Sequence, residues 1–156
     1  MKPIVLHSRF IPFKGFAAIT LLFFIVVRKV KRNGVWGERT VSETLLRHET
    51  MHAWQQICLF VTGLLAMLVL FAFGVSRWWV WCLPILLPFG TYILCWLLEI
   101  ILPPYNKAYK DICFEGEANY NEHNKNIRFV PFSFLRFIPN KDWEKLGAER
   151  FIDSGV

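Results

Sequence analysis

Charge is scarce in this chain, and where it is missing decides the class of protein. Only 19% of the 156 residues are charged, against 54% apolar and 17% aromatic. Between Ile57 and Val75 there is no charge, and Thr62 is the only polar side chain; between Trp78 and Leu102 the single charge is Glu99. About 20 apolar residues of helix cross a hydrocarbon core, so each stretch can span a bilayer. Only Ser76-Arg77 separates them, which predicts a tight helical hairpin. This excludes an ordinary soluble domain.

Other absences narrow the reading. The four cysteines show no ligand-type spacing: Cys58, Cys82 and Cys95 fall in the apolar spans, and Cys113 lies outside them. A thiol in such places behaves as a small hydrophobe, and disulfides are rare in the cytoplasm. A cleavable signal peptide is not expected, because Arg9, Pro12 and Lys14 interrupt the apolar core it would need. There is no internal repeat and no low-complexity segment. The net charge of +6 comes without any nucleic-acid motif. It is explained by basic residues facing anionic headgroups, so the expected partners are the bilayer and a peptide or protein, not nucleic acid.

Those basic residues are one-sided. Of 18 Lys and Arg, nine precede residue 57, eight follow residue 102, and Arg77 alone sits in the turn. Cytoplasmic loops are enriched in Lys and Arg, so both termini are expected inside. Trp78, Trp79 and Trp81 then read as an aromatic belt at the outer surface. Glu99, one turn from the membrane edge, reads as a snorkelling or locally paired group.

The remaining segments surround this hairpin. Phe16–Val27 is apolar but short for a span, and its Ile, Val, Phe and Thr favour strands. Residues 16–29 are therefore read as a β-strand, with a third span as the alternative. Asn33-Gly34 offers a turn into a short return strand around Val35 and Trp36. Thr40 and Ser42 are helix N-caps, and Thr40 with Glu43 fits a capping box. One long helix is predicted from there to Val75. A cytoplasmic helix is predicted from Pro104 to about Asn124, and the aromatic, basic tail 125–156 reads as lying at the membrane surface.

One motif carries chemistry. His48-Glu49-Thr50-Met51-His52 is H-E-x-x-H on a predicted helix, and a spacing of four puts both imidazoles on one face. That suits two nitrogen ligands on one zinc, with Glu49 placed to take a proton from a water at the metal. A third protein ligand is still needed, and Glu115, Glu117, Glu122 and His123 are the candidates. Tyr120 or His123 is a candidate for steadying an oxyanion. Gln55 and Gln56 read as marking the membrane interface, and His7 has no supporting context.

H-E-x-x-H followed by Glu115-Gly116-Glu117-Ala118-Asn119 resembles the gluzincin membrane peptidases of the CAAX-prenyl-protease and HtpX type, which carry E-x-x-A-D. The resemblance implies that Glu115 is the third zinc ligand, with Glu117 as rival. It also implies that Asn119 stands where the family has an Asp that steadies a zinc-bound histidine. Asn119 accepts a hydrogen bond but supplies no charge. Most of the chain is also similar to small Bacteroidetes-type membrane proteins, through Arg9–Phe13, Val27–Lys29, His48–Gln56 and Ala108–Ala118. These likenesses imply a zincin-like α+β cytoplasmic domain split around the hairpin, in a mainly α protein of the bacterial inner membrane. The early strand would be the edge along which an extended substrate pairs.

The function expected is a zinc-dependent membrane-embedded endopeptidase. The rival is a non-catalytic zinc-binding membrane protein serving as a sensor or partner-binding subunit. Two spans without paired charges argue against transport unless the chain forms a homo-oligomer. Orientation is testable by cysteine labelling from outside intact cells. A cysteine at position 77 should react, and cysteines at 34 and 125 should not; labelling at either of those two would reject the topology.

Overall fold

A computed structural model describes residues 3–11, 16–32, 34–101, 112–124 and 128–137. Five strands come first: β1 (Ile4–Ser8), β2 (Ala18–Leu21), β3 (Phe24–Arg28), β4 (Val30–Arg32) and β5 (Val35–Gly37). They are followed by helices α1 (Glu43–Ala72), α2 (Trp78–Ile101) and α3 (Cys113–Asn121), and a 3-10 turn at Ser133–Phe137. The architecture is mixed α and β, and α1 and α2 are long and apolar enough to cross a membrane by length and composition.

The run expected as one strand is folded in two. β2 and β3 form an antiparallel hairpin closed at Leu21–Phe24, and β1 pairs with β3 in parallel, giving the order β1-β3-β2. The turn carries no Gly, Asn or Pro to announce it. Leu22 instead adopts φ 52, in the left-handed region. The cost of that conformation is offset by Gln56, whose Oε1 accepts the Leu22 amide proton at 2.6 Å. The central strand β3 is the most buried, with Ile25 and Val27 fully covered. They pack with Ala18 and Val5 against Val41, Leu45 and Leu46 at the start of α1. β4 and β5 form the second hairpin, turning at Gly34 with φ +82, as the Asn-Gly pair suggests.

Ser42, not Thr40, caps α1: its hydroxyl accepts from the Leu45 amide. The 30-residue helix, about 45 Å long, stops at Ala72, short of Val75. There Gly74 takes φ +78, and the amides of Gly74 and Val75 bond back to the Phe71 and Leu70 carbonyls. This is a Schellman stop, for which glycine is the favoured residue. α2 folds back along α1, with Phe71 against Trp81 at the turn. The two backbones come close at Gly63, where a Cβ would lie 2.6 Å from the Leu83 carbonyl oxygen and 2.8 Å from the Pro84 Cα. Pro84 and Pro88 both lie inside α2, where each removes a helical hydrogen bond. The outer faces of both helices are apolar and exposed, Leu65, Leu68, Ile85 and Leu94 among them.

α3 is short but buried from Cys113 to Ala118. The expected start of this helix at Pro104 lies outside the described residues, as do the Glu99 side chain and most of the tail. The described part of the tail corrects the surface reading in one respect. Phe134 is buried, its ring tilted against Phe114 with centroids 4.4 Å apart, so this residue of the 3-10 turn joins the core beneath α3.

The Gly63 crossing yields a test. Gly63→Ala meets rigid backbone and should cost about 1–3 kcal/mol, read as a lower unfolding midpoint in detergent. Gly90→Ala, with open space around its Cβ position, is the control and should not destabilise. Equal behaviour of the two variants would contradict this packing.

Candidate metal site

One helical turn of α1 and one of α3 build the site. His48 and His52 project from the same face of α1, and their Nε2 atoms lie 3.2 Å apart. Glu115, in the first turn of α3, reaches between them. One carboxylate oxygen is 3.4 Å from His48 Nε2 and the other is 3.4 Å from His52 Nε2. Ligand atoms of all three residues lie within 4.8 Å of one another. This group can hold a metal ion.

The far sides of the two rings explain why these atoms converge. His48 Nδ1 donates to Glu122 Oε2 at 3.2 Å, and His52 Nδ1 donates to Gln55 Oε1 at 2.9 Å. With the Nδ1 atoms spent on acceptors, neutral imidazoles turn their Nε2 lone pairs toward each other and toward a carboxylate. Only a cation satisfies such a meeting, whether a proton or a metal. Without metal, a proton takes the place. Burial disfavours charge on His52, but the field and hydrogen bond of Glu115, with help from Glu49 and Gln55, lift its pKa to about 9. Burial acts on Glu115 in the opposite sense, and the two histidines outweigh it, holding the carboxyl well below the usual carboxylate range.

The other expected residues fall in varied places. Glu49 is buried beside the triad and is not part of it. Thr20 of β2 donates to Glu49 Oε2 at 2.6 Å, which ties the sheet edge to the motif helix. Glu117 is also outside the triad, and it is no solvated carboxylate: only 2% exposed, it accepts from Gln55 and Ser133. The partner of His48 Nδ1 is Glu122, one turn beyond Asn119. His123 is half exposed beside Glu122, and Tyr120 packs on Phe137. Neither lines the cavity over the metal group. Cys113 is buried, and burial pushes its thiol up to about 12, so it is a packing residue.

That cavity, of about 330 Å³, joins the sheet to the hairpin. Its walls are Phe16, Ile19 and Leu21 on the sheet side, Leu59 of α1, and Pro88, Phe89, Tyr92 and Ile93 of α2, with His48, Glu49, His52 and Glu115 also facing it. The Tyr92 hydroxyl donates to Glu115 Oε1 at 3.0 Å. Four contributors were not legible as such in the sequence: Thr20, Tyr92, Gln55 and Gln56. Gln55 and Gln56 lie three and four residues after His52, and their place on its helix, one turn from that ligand, was the signal available. Tyr92 gave a weaker one, as a hydroxyl in an otherwise apolar span.

No protein-family profile, curated protein or solved structure matches the chain.

Proton competition gives a measurable consequence. Metal must displace the proton on His52, so affinity should climb about tenfold per pH unit below the pKa of about 9 and level off above it. Zinc titration by chelator competition across this range checks it. His48→Ala or His52→Ala should remove most of the affinity at every pH. A pH-independent affinity, or full zinc retention in the double variant, would contradict the site.

Proposed function

We propose that the chain is a zinc-dependent endopeptidase embedded in the membrane, acting on peptides or proteins near the cytoplasmic face. One observation carries the reading: two imidazole lone pairs and Glu115 converge on one point while a separate buried carboxylate, Glu49, stands beside them on the same helix. The donor set fits zinc. In a tetrahedral site with Zn–N bonds of 2.0–2.1 Å the ligand atoms stand about 3.3 Å apart. Here the two imidazole nitrogens are 3.2 Å apart, each is 3.4 Å from a different Glu115 oxygen, and one ligand atom from each residue falls within 4.8 Å of the others. Two His and one Glu also leave a fourth position, as catalytic sites do.

Zinc held there would supply Lewis acidity for a scissile carbonyl. The protein's own groups supply the rest. Glu49 accepts the proton of the attacking water and passes it to the leaving amine. Thr20 fixes the Glu49 carboxylate through Oε2, while Oε1 has no hydrogen bond from any described residue. Tyr92 lines the cavity, which Tyr120 and His123 do not, and would steady a developing oxyanion by turning its one hydroxyl proton from Glu115 Oε1 toward the cavity.

The sheet offers a way to hold the substrate. The Arg28 amide bonds the Ala17 carbonyl, so by the alternation of an antiparallel ladder Ile19 and Leu21 point their backbone groups at β3. Ala18 and Thr20 point theirs away, along the open edge. At one end Gln56 already occupies that edge, donating to the Thr20 carbonyl and accepting from the Leu22 amide. An extended substrate would pair at Ala18 and the Thr20 amide. Beyond this point the cavity leads toward α1 and α2, which suits a substrate with apolar side chains close to the cut.

Glu49→Gln tests the reading. It keeps size and polarity, so zinc and fold should survive while peptide turnover in detergent or liposomes falls about a hundredfold or more. Glu115→Gln should lose zinc and activity together. An active preparation unaffected by Glu49→Gln would end the peptidase mechanism. Bound zinc with no activity under any condition would favour a non-catalytic sensor or partner-binding subunit.

A further inference from the structure

Glu117 is a buried carboxylate that the proposed chemistry does not use. It lies two residues beyond Glu115 on α3, 2% exposed, yet it is not among the convergent ligand atoms. Its Oε2 accepts from Gln55 Nε2 at 2.8 Å, and its Oε1 accepts from the Ser133 hydroxyl in the 3-10 turn. Gln55, 3% exposed, sends the same Nε2 to the Phe114 carbonyl at 3.0 Å. On its other side, Gln55 Oε1 meets His52 Nδ1 at 2.9 Å.

These contacts determine one another. The Phe114 carbonyl and the Glu117 carboxylate are acceptors, so the amide nitrogen of Gln55 must face them. The amide oxygen is thereby turned to His52, and the proton on that ring must sit on Nδ1 to meet it. The Nε2 lone pair is then left for the metal. If the amide were flipped, its N–H would point at Nδ1, the ring proton would move to Nε2, and the ligand position would be blocked. Phe114 alone could not hold the amide as firmly, because it fills only one of the two N–H donors.

We infer that Glu117 and Gln55 are positioning residues of the metal site: Glu117 sets the orientation of the Gln55 amide, and Gln55 sets the tautomer of His52. Glu122 does the equivalent for His48 directly, since a carboxylate facing Nδ1 calls for a proton there. The inference rests on reading His48, His52 and Glu115 as a metal site.

The test uses the full-length protein in detergent, with 15N-labelled histidine and zinc titrated against a chelator. In the metal-free wild type at alkaline pH, the His52 nitrogen shifts should report the Nδ1–H tautomer. In Glu117→Gln they should move toward a mixture, and zinc affinity should fall about 10- to 100-fold, the usual loss on removing such an outer partner. Gln55→Met should lose a similar amount. The double variant should lose no more than Gln55→Met alone, because Glu117 acts through Gln55. Additive losses would mean that Glu117 acts through its charge and would overturn the relay. So would an unchanged tautomer and affinity in Glu117→Gln, or an Nε2–H tautomer in the wild type. That last measurement needs no variant to fold. If the wild type bound no zinc, the metal reading would fail on its own, and the tautomer spectra would still decide whether Glu117 and Gln55 control His52.

Discussion

Two imidazole nitrogens lie 3.2 Å apart beside a buried carboxylate, and with both Nδ1 atoms turned to acceptors they call for a proton or a metal between them. Much of the described structure serves this one constraint. The helical period of α1 brings His48 and His52 to a common face. α3 returns Glu115 to the same height, and its burial from Cys113 to Ala118 anchors that return. Gln55, Tyr92 and Glu122 each hold one member of the group, and Thr20 holds Glu49 beside it. Burying several acids together is costly unless each is paired. Here Glu49, Glu115, Glu117 and Glu122 all have named partners.

The same helix must serve two environments. Along α1 the buried positions cluster at Glu49–Met51, Ala53 and Gln55, and then thin to Leu59 and Gly63. The first set lies against the sheet and α3; Leu59 joins the cluster of Ile112, Phe114 and Phe134, and Gly63 faces α2. The metal group therefore sits where the helix leaves its polar packing and enters its apolar length. His52 is five residues from Ile57, about 7 Å along the axis. On α2 the cavity wall begins at Pro88. A proline there takes one amide out of the helical ladder and leaves a carbonyl one turn earlier without its usual partner. Gly63 keeps the two helices close just beyond the cavity. Close contact and an adjoining open space are thus set by small and cyclic residues, not by polar ones.

How much of this could be read from the sequence depended on whether the signal was local. The long apolar stretches, the Asn-Gly turn and the H-E-x-x-H spacing are local patterns, and the elements they predict are present. The Leu22 turn was invisible because its cause is remote: an amide 34 residues away holds a leucine in a conformation that leucine does not choose. β1 was missed for a similar reason, since its partner β3 lies across a parallel connection. The glutamines after the motif looked like interface polarity. Only when α3 and β2 are in place does it become clear that Gln55 faces a histidine and Gln56 faces a strand edge. Glu117 and Glu122 were legible as acids but not as different acids. Which carboxylate faces a lone pair, which faces an N–H and which faces an amide depends on helix rotation, and spacing along the chain does not specify that closely enough.

The choice of an amide behind His52 and a carboxylate behind His48 also has a physical logic. A carboxylate on Nδ1 raises the basicity of an imidazole, which strengthens its bond to a metal and also its hold on a proton. His52 already feels Glu115 and Glu49, enough to bring its pKa to about 9 despite burial. A carboxylate in place of Gln55 would raise it further, and metal would then compete with a still more firmly held proton. A neutral acceptor fixes the tautomer without that added charge. Glu117, one amide removed, lends direction to Gln55 while its own charge is shared with the Ser133 hydroxyl. The site therefore separates two tasks that a single carboxylate would combine: holding the ring in the ligand tautomer, and setting how tightly the ring keeps its proton.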